Sequence, residues 1–154
     1  MTVTVRDATP VDVDVVLRLV RASAESQGAL DAVCVDAESL RREMFGAHAR
    51  VHALVAAAGS DIVGVALYFF TFSTWVSVNG IHLEDLYVVP AWRRHGVGRA
   101  LMDALARVAD ARGCRRLQWF VLRGNASAIR FYESIGARVA GDWVILHLDR
   151  PAEP

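Results

Sequence analysis

Apolar residues recur at Val13, Val16, Leu19 and Val20. That spacing is a helical stripe and predicts a first helix running to about Ala24. Thr9 followed by Pro10 predicts its start, with Asp12 suited to the positive helix end. Residues 27–35 break the period and predict irregular chain. Asp36 predicts the cap of a second helix carrying Leu40, Met44 and Phe45 and stopping at Gly46. Before the first helix, residues 4–7 read as the end of a strand.

The period then changes. Residues 51–57 and 62–71 read as strands joined by the turn Ala58-Gly59-Ser60-Asp61. Asn79-Gly80 reads as a further turn, and residues 81–89 as a buried strand closed by Pro90. From Val97 the positions Ala100, Leu101, Ala104, Leu105 and Val108 make a sharp helical face ended by Gly113. Arg99, Asp103 and Arg107 lie on its other side at spacing four, as solvated ion pairs do. Residues 116–122 read as a strand. Asn125 reads as the cap of a short helix with Ala128, Phe131, Tyr132 and Ile135 on one face, ended by Gly136. Residues 143–148 read as a final strand. The order β-α-α-β-β-β-α-β-α-β predicts an α/β or α+β domain, a mixed sheet covered by helices.

The 154 residues suit a single domain over the whole chain. The hydrophobic fraction of 54% and mean hydropathy of +0.29 support a sizeable core. Seventeen basic residues balance seventeen acidic ones. Zero net charge argues against a nucleic-acid or anionic-membrane surface. Cys34 and Cys114 have no metal-ligand spacing and read as reduced core thiols. The N-terminus has no signal-peptide pattern and no apolar run is long enough to cross a bilayer, so a cytoplasmic protein without metal is expected.

The richest chemistry lies in Arg93-Arg94-His95-Gly96-Val97-Gly98-Arg99, between a strand and a helix. The first N–H groups of that helix lack partners inside it and carry its positive dipole end. Guanidinium groups stand beside them, which makes a seat for a phosphorylated ligand. The Gly-Lys-Ser/Thr of a P-loop is absent, and the third glycine of a dinucleotide fingerprint is replaced by Leu101.

Arg93-x-x-Gly96-x-Gly98 resembles the acyl-CoA pyrophosphate loop of the GNAT acetyltransferase superfamily. The preceding Leu83-Glu84-Asp85-Leu86-Tyr87-Val88-Val89-Pro90 and the later Asn125 with Phe131-Tyr132 resemble the same superfamily, in the same order. Residues 66–75 are similar to a segment of the diamine (spermidine/spermine) acetyltransferases. The resemblance covers about residues 3–148. It implies the GNAT acyl-CoA N-acyltransferase fold: a mixed, mostly antiparallel sheet flanked by helices, with two central strands splayed apart. It also implies acetyl-CoA as cosubstrate and a homodimer.

The resemblance places the pantetheine arm along Leu86, Tyr87 and Val88, whose main chain can hold it by strand addition. It places the pyrophosphate on Arg93, Arg94, His95, Gly96, Val97, Gly98 and Arg99, chiefly through N–H groups, so the side chains of His95 and Val97 are expected to matter little. Asn125, Ala126, Ser127 and Ala128 complete the cofactor contacts. A primary ammonium has a pKa of about 10 and must lose a proton before it attacks. Glu84 is the expected base, on the side of Leu86 and Val88, in an apolar setting that raises its pKa. Asp85 is expected on the opposite face. Tyr132 is the expected acid that protonates the departing thiolate.

Gln27, Asp31, Glu84, Gln118, Trp119, Phe120 and Arg123 are the expected acceptor-site residues. Diamine acetyltransferases carry acidic residues where this chain has Ser26-Gln27-Gly28-Ala29-Leu30-Asp31, and an acidic residue and tryptophan where it has Arg123-Gly124. Arg123 repels a polycation and favours an acceptor bearing a carboxylate. The expected reaction is acetylation of a small amino-acid-like amine or diamine by direct attack in a ternary complex. The alternatives are a protein lysine or N-terminal acetyltransferase and a non-catalytic acyl-CoA sensor. His48, His52, His82 and His147 read as surface or satisfied strand histidines, and Trp92, Trp119 and Trp143 as core. Phe72 and Trp75 read as acceptor-pocket or dimer-contact residues.

Overall fold

The computed structural model describes residues 2–151. It divides into two compact units, Met1–Phe120 and Val121–Pro154.

In the first unit, β1 (Thr4–Asp7), β2 (His52–Ala58), β3 (Asp61–Ser73), β4 (Val78–Val88) and β5 (Cys114–Gln118) form one sheet in chain order. The first three pairings are antiparallel and β4–β5 is parallel. The parallel step is possible because α3 (Val97–Ala111) provides the crossover between β4 and β5. This is the mixed, mostly antiparallel sheet that the resemblance implies.

The other two helices, α1 (Val13–Ser26) and α2 (Ala37–Phe45), cover one face. There Val13, Val16, Leu17, Leu19, Leu40 and Met44 pack on Ala53, Val55, Val65, Leu67 and Tyr87. Each fully buried aliphatic side chain in such a layer is worth about 2 kcal/mol. The opposite face receives α3. At Gly64 an added Cβ would lie 3.2 Å from Leu101 Cδ1 and 3.3 Å from Val97 Cγ1, so the missing side chain is what lets the helix sit against the sheet. Asp36 caps α2 as predicted, accepting from Ser39 N at 2.7 Å.

Three sequence expectations are corrected in this unit. Asn79-Gly80 is not a turn but lies inside β4, and the chain reverses at residues 74–77 with Ser77 at φ 49. Gly80 is required by space instead. A Cβ there would lie 2.8 Å from Thr71 Oγ1 and 3.1 Å from Arg116 O on the two flanking strands. The next strand is short, ending at Gln118 rather than continuing to Leu122. Cys34 is exposed rather than core, whereas Cys114 is buried.

In the second unit, α4 (Ala126–Ser134) is the one regular element among the described residues. Asn125 caps it as predicted, with Oδ1 accepting from Ala128 N at 3.2 Å. The final strand expected over 143–148 is not formed, and Trp143, Val144, Ile145, Leu146 and Leu148 are exposed. Trp143 is therefore not core. An apolar β-prone run becomes a strand only where a second edge satisfies its N–H and C=O groups, and the described residues of this unit contain no other strand.

Candidate active site

The β3–β4 ladder carries an irregularity at the residues expected to do chemistry. Leu83 pairs with Tyr68 and Asp85 with Leu67, so Glu84 is the extra residue of a β-bulge. A bulge resets alternation. Asp85 shares the face of its partner Leu67, which is in the core under α1 and α2. Glu84 lies on that same face, because its Oε2 is 3.3 Å from Nε2 of His82, the partner of Phe69. Leu86 and Val88 pair with Ala66 and Gly64 and lie on the α3 side. The expected placement is thus reversed: Glu84 shares its side with Asp85, not with Leu86 and Val88. The apolar setting expected for Glu84 also belongs to its neighbour. Glu84 is 53% exposed. Burial first, and the Glu84 charge second, push the Asp85 carboxyl up to about 6.

Beyond the bulge, β4 parts from β5. The parallel register covers Asn79, Gly80, Ile81 and His82 and ends there, so Leu83 onward has no partner in β5. This is the splay that the resemblance implies. Val89 N–H donates to Val63 O across β3, so the Val88 carbonyl of the same peptide points to the open edge. Two-residue alternation then turns the N–H and C=O of Leu86 and Val88 outward and those of Tyr87 toward β3. Of the three residues expected to hold pantetheine, two present their main chain to that edge. One acceptor is already used: Arg93 Nε donates to Val88 O at 2.9 Å, with its guanidinium 5.3 Å from the centre of the Tyr87 ring. Arg93 braces the end of the strand.

The following loop turns sharply into α3. Arg94 and Gly96 both have left-handed backbone, with φ 63 and φ 80, and Gly96 caps α3. Left-handed residues interspersed in a turn converge successive N–H groups on one point, here at the positive end of a fifteen-residue helix. Arg94 and His95 are exposed, while Arg99 pairs with Asp103 at 3.2 Å. Val97 is the exception to the expectation that loop side chains matter little: it is 2% exposed and packs under Gly64. Acyl-CoA fits these groups, since the loop offers N–H donors and cations to a pyrophosphate and the open edge offers a strand partner to an amide-bearing arm.

In the second unit, Tyr132 lies on α4 next to Phe131, their ring centres 5.2 Å apart. Burial pushes its hydroxyl up to about 12. The group stays protonated at every physiological pH, as an acid must. Ala126, Ser127 and Ala128 form the first turn of α4 behind the Asn125 cap. Arg123 is exposed in the turn before it.

The remaining acceptor-site candidates lie in the first unit. Gln27 ends α1 with Nε2 donating to Ser23 O at 3.3 Å, and Asp31 sits exposed in a short 3-10 turn. Gln118 pairs with His82 across the parallel register, and Trp119 and Phe120 follow it. Phe72 and Trp75, at the tip of the β3–β4 hairpin, are both exposed. His82, set aside in the sequence as a satisfied strand histidine, proves to face Glu84. The signal was in the sequence, since residues two apart on a strand share a face. Among the described residues, no His, Cys, Asp and Glu group can hold a metal, and no helix is long and apolar enough to cross a membrane.

The mixed sheet with a splayed centre, followed by a glycine turn at a helix start, is the arrangement that the resemblance implies for an acyl-group transferase. The family model described as Acetyltransferase (GNAT) family matches residues 18–137, a span that runs through both units. The thialysine N-epsilon-acetyltransferase of Sus scrofa is 38% identical over 144 residues, 88% of this chain and 84% of that protein. The Homo sapiens spermidine/spermine N(1)-acetyltransferase-like protein 1 is 31% identical over 140 residues, 86% of this chain and 20% of that protein. Among solved structures, an integron cassette protein of V. cholerae matches with a TM-score of 0.79 at 24% identity, over 97% of this chain and 94% of that one, a likeness of fold. The chain belongs to the GNAT acetyltransferase family, and it is an N-acetyltransferase.

Proposed function

We propose that this protein moves the acetyl group of acetyl-CoA to the primary amine of a small acceptor, an amino acid with a side-chain amine or a diamine, by direct attack in a ternary complex. Residues 1–154 act as one catalytic domain. The observation that carries the reading is the 38% identity, over most of both chains, to an enzyme named for thialysine, itself an amino acid with a side-chain amine.

Bound acetyl-CoA supplies an acetyl thioester. The N–H groups at Arg94, His95, Gly96, Val97, Gly98 and Arg99 hold its pyrophosphate, with the Arg94 guanidinium beside them. The outward main chain of Leu86 and Val88 holds its arm, and Tyr87 and Arg93 support that edge. Asn125, Ala126, Ser127 and Ala128 are further cofactor contacts. Glu84 takes the proton from the acceptor ammonium at its carboxylate. A β4 N–H, at Leu86 or Val88, stabilises the negative charge that grows on the carbonyl oxygen. Tyr132 Oη gives its proton to the departing sulfur as the C–S bond breaks, and the second proton lost from the attacking nitrogen restores the phenol. Asp85, raised by burial, is a second carboxyl on the Glu84 face, and Glu84→Gln against Asp85→Asn separates the two as proton acceptors.

Gln27, Asp31, Gln118, Trp119 and Phe120 line the acceptor site, and Arg123 meets the acceptor's carboxylate. The enzyme works in the cytoplasm as a homodimer with no metal, no nucleic acid and no membrane partner. Zero net charge supports the last two, and the exposed Phe72 and Trp75 support a contact between copies.

Thiol release from acetyl-CoA over thialysine, lysine, ornithine, spermidine and a lysine-containing peptide tests the reading. Turnover on the amino-acid amines is expected. Turnover confined to the peptide would replace the small acceptor with a protein one.

A further inference from the structure

His82 and Glu84 meet on the α1 face of β4, two positions apart, with Nε2 and Oε2 at 3.3 Å. The histidine side chain is 9% exposed and the glutamate 53% exposed. A fixed interior ring therefore reaches a side chain that is otherwise at liberty to swing. The ring's own orientation is doubly determined. It stacks on Phe69, its partner across the β3–β4 ladder, with centres 5.0 Å apart and planes at 21°. It also meets the Phe120 ring edge-on at 4.9 Å and 65°. Gln118 is its neighbour in the parallel register, and the face of α1 turned to the sheet presents Val13, Val16 and Leu19. Asp85 is the other carboxyl that the bulge brings to this side of β4.

We propose that His82 is a positioning residue for Glu84: its Nε2 holds the carboxylate in one place on the sheet face, where the acceptor ammonium meets it. Glutamate has three side-chain torsions, and fixing them beforehand removes an ordering cost from the reaction itself. Plain strand alternation puts residues 82 and 84 on one face, and the bulge that follows brings Asp85 to the same side. The inference rests on Glu84 as proton acceptor, and the test separates the two.

His82→Phe keeps the stack on Phe69 and Phe120 and removes the nitrogen. His82→Gln keeps a donor and gives up the stack. His82→Phe is expected to lower kcat roughly tenfold with the KM for acetyl-CoA unchanged, because a misplaced group costs rate and not cofactor binding. His82→Gln is expected to recover most of that loss, and the double variant His82→Phe with Glu84→Gln to be no worse than Glu84→Gln alone. Independently of turnover, the ring nitrogens of His82 in the nuclear magnetic resonance spectrum of the cofactor-free protein are expected to shift in Glu84→Gln. Equal losses in the two His82 variants, additive losses in the double variant, or unmoved ring nitrogens would each overturn the proposal. A Glu84→Gln enzyme with wild-type kcat would remove both the proton-acceptor reading and this inference. A loss in Glu84→Gln with His82→Phe unaffected removes this inference alone. If His82→Phe does not fold, the kcat of His82→Gln and the ring-nitrogen spectrum decide.

Discussion

Asp85 stands directly opposite Leu67 in the β3–β4 ladder, one residue past the bulge at Glu84. Its carboxyl therefore shares a face with the core packed by α1 and α2, a place that strict alternation would give to an apolar side chain. The cost is visible in its ionisation, which burial and the adjacent Glu84 displace upward to about 6. A chain keeps such a group only against a steady pull toward something apolar or neutral.

Asp85→Asn should stabilise the protein at neutral pH. The folded state holds the Asp85 proton up to about pH 6, whereas the unfolded chain loses it near 3.8. The folded state therefore binds more protons between those values, and wild-type stability falls as pH rises through the window. The asparagine variant escapes that fall. Its advantage should be on the order of 2 kcal/mol above pH 6 and near zero below pH 4. Urea unfolding of both proteins across that range checks it, and a pH-independent difference would contradict it.

Asp12 carries the opposite sign. Arg6 donates to it from both terminal nitrogens, at 2.8 and 3.0 Å, and Thr9 donates from its backbone N at 2.7 Å and its hydroxyl at 2.8 Å. The Arg6 bonds above all hold this carboxyl well below the usual range, against the burial that opposes it. The constellation ties β1 to the start of α1. Asp12→Asn should cost about 2 kcal/mol at pH 7, since one buried acceptor then faces several donors. Because the folded pKa is depressed, that contribution is fully present above the unfolded value and is lost as pH falls below about 4. Thermal unfolding should show the two proteins converging in acid.

Tyr132→Phe removes a hydroxyl that burial keeps protonated far above neutral pH. Turnover should fall by roughly 100-fold if Tyr132 supplies the proton to the leaving sulfur. The Kd for coenzyme A, measured by calorimetry, should stay within about twofold, because a ring of the same shape remains. A lost affinity with an unchanged chemical step would make Tyr132 a packing residue.

What could be read from the chain alone divides along a physical line. Features that one element determines by itself were legible: the Asp36 and Asn125 caps, the apolar stripes of α1 and α3, and the glycine turn that opens α3. Features that two elements determine together were not. Gly80 resembles a turn residue because asparagine precedes it, yet its lack of a side chain serves the approach of β3 and β5. The run at 143–148 has the composition of a strand but no strand partner among the described residues of its unit. That Asp85 rather than Leu86 shares the face of Glu84 depends on a bulge, which is a fact about pairing with β3 and not about β4. The loop motif named the place of the chemistry, and the ladder decided which side chains share a surface there.

The loop itself gives the sharpest division between stability and binding. Gly96 has φ 80 and open space where a Cβ would go. Gly96→Ala therefore meets no neighbour and costs only the left-handed backbone, about 1–2 kcal/mol. That strain can be relieved by rotating the residue out of the left-handed region, which also turns away the N–H groups gathered at the start of α3. Coenzyme A affinity should consequently fall by roughly tenfold or more, while the unfolding temperature drops by only a few degrees, about what 1–2 kcal/mol produces in a domain of this size. Gly98→Asp adds a negative charge at the same helix end, where the dipole favours it, so folding should be little affected while the phosphates are repelled. A pair of calorimetric titrations with coenzyme A, run beside thermal unfolding of the same samples, separates the effects. Unchanged affinity in both variants would place the pyrophosphate somewhere other than this turn.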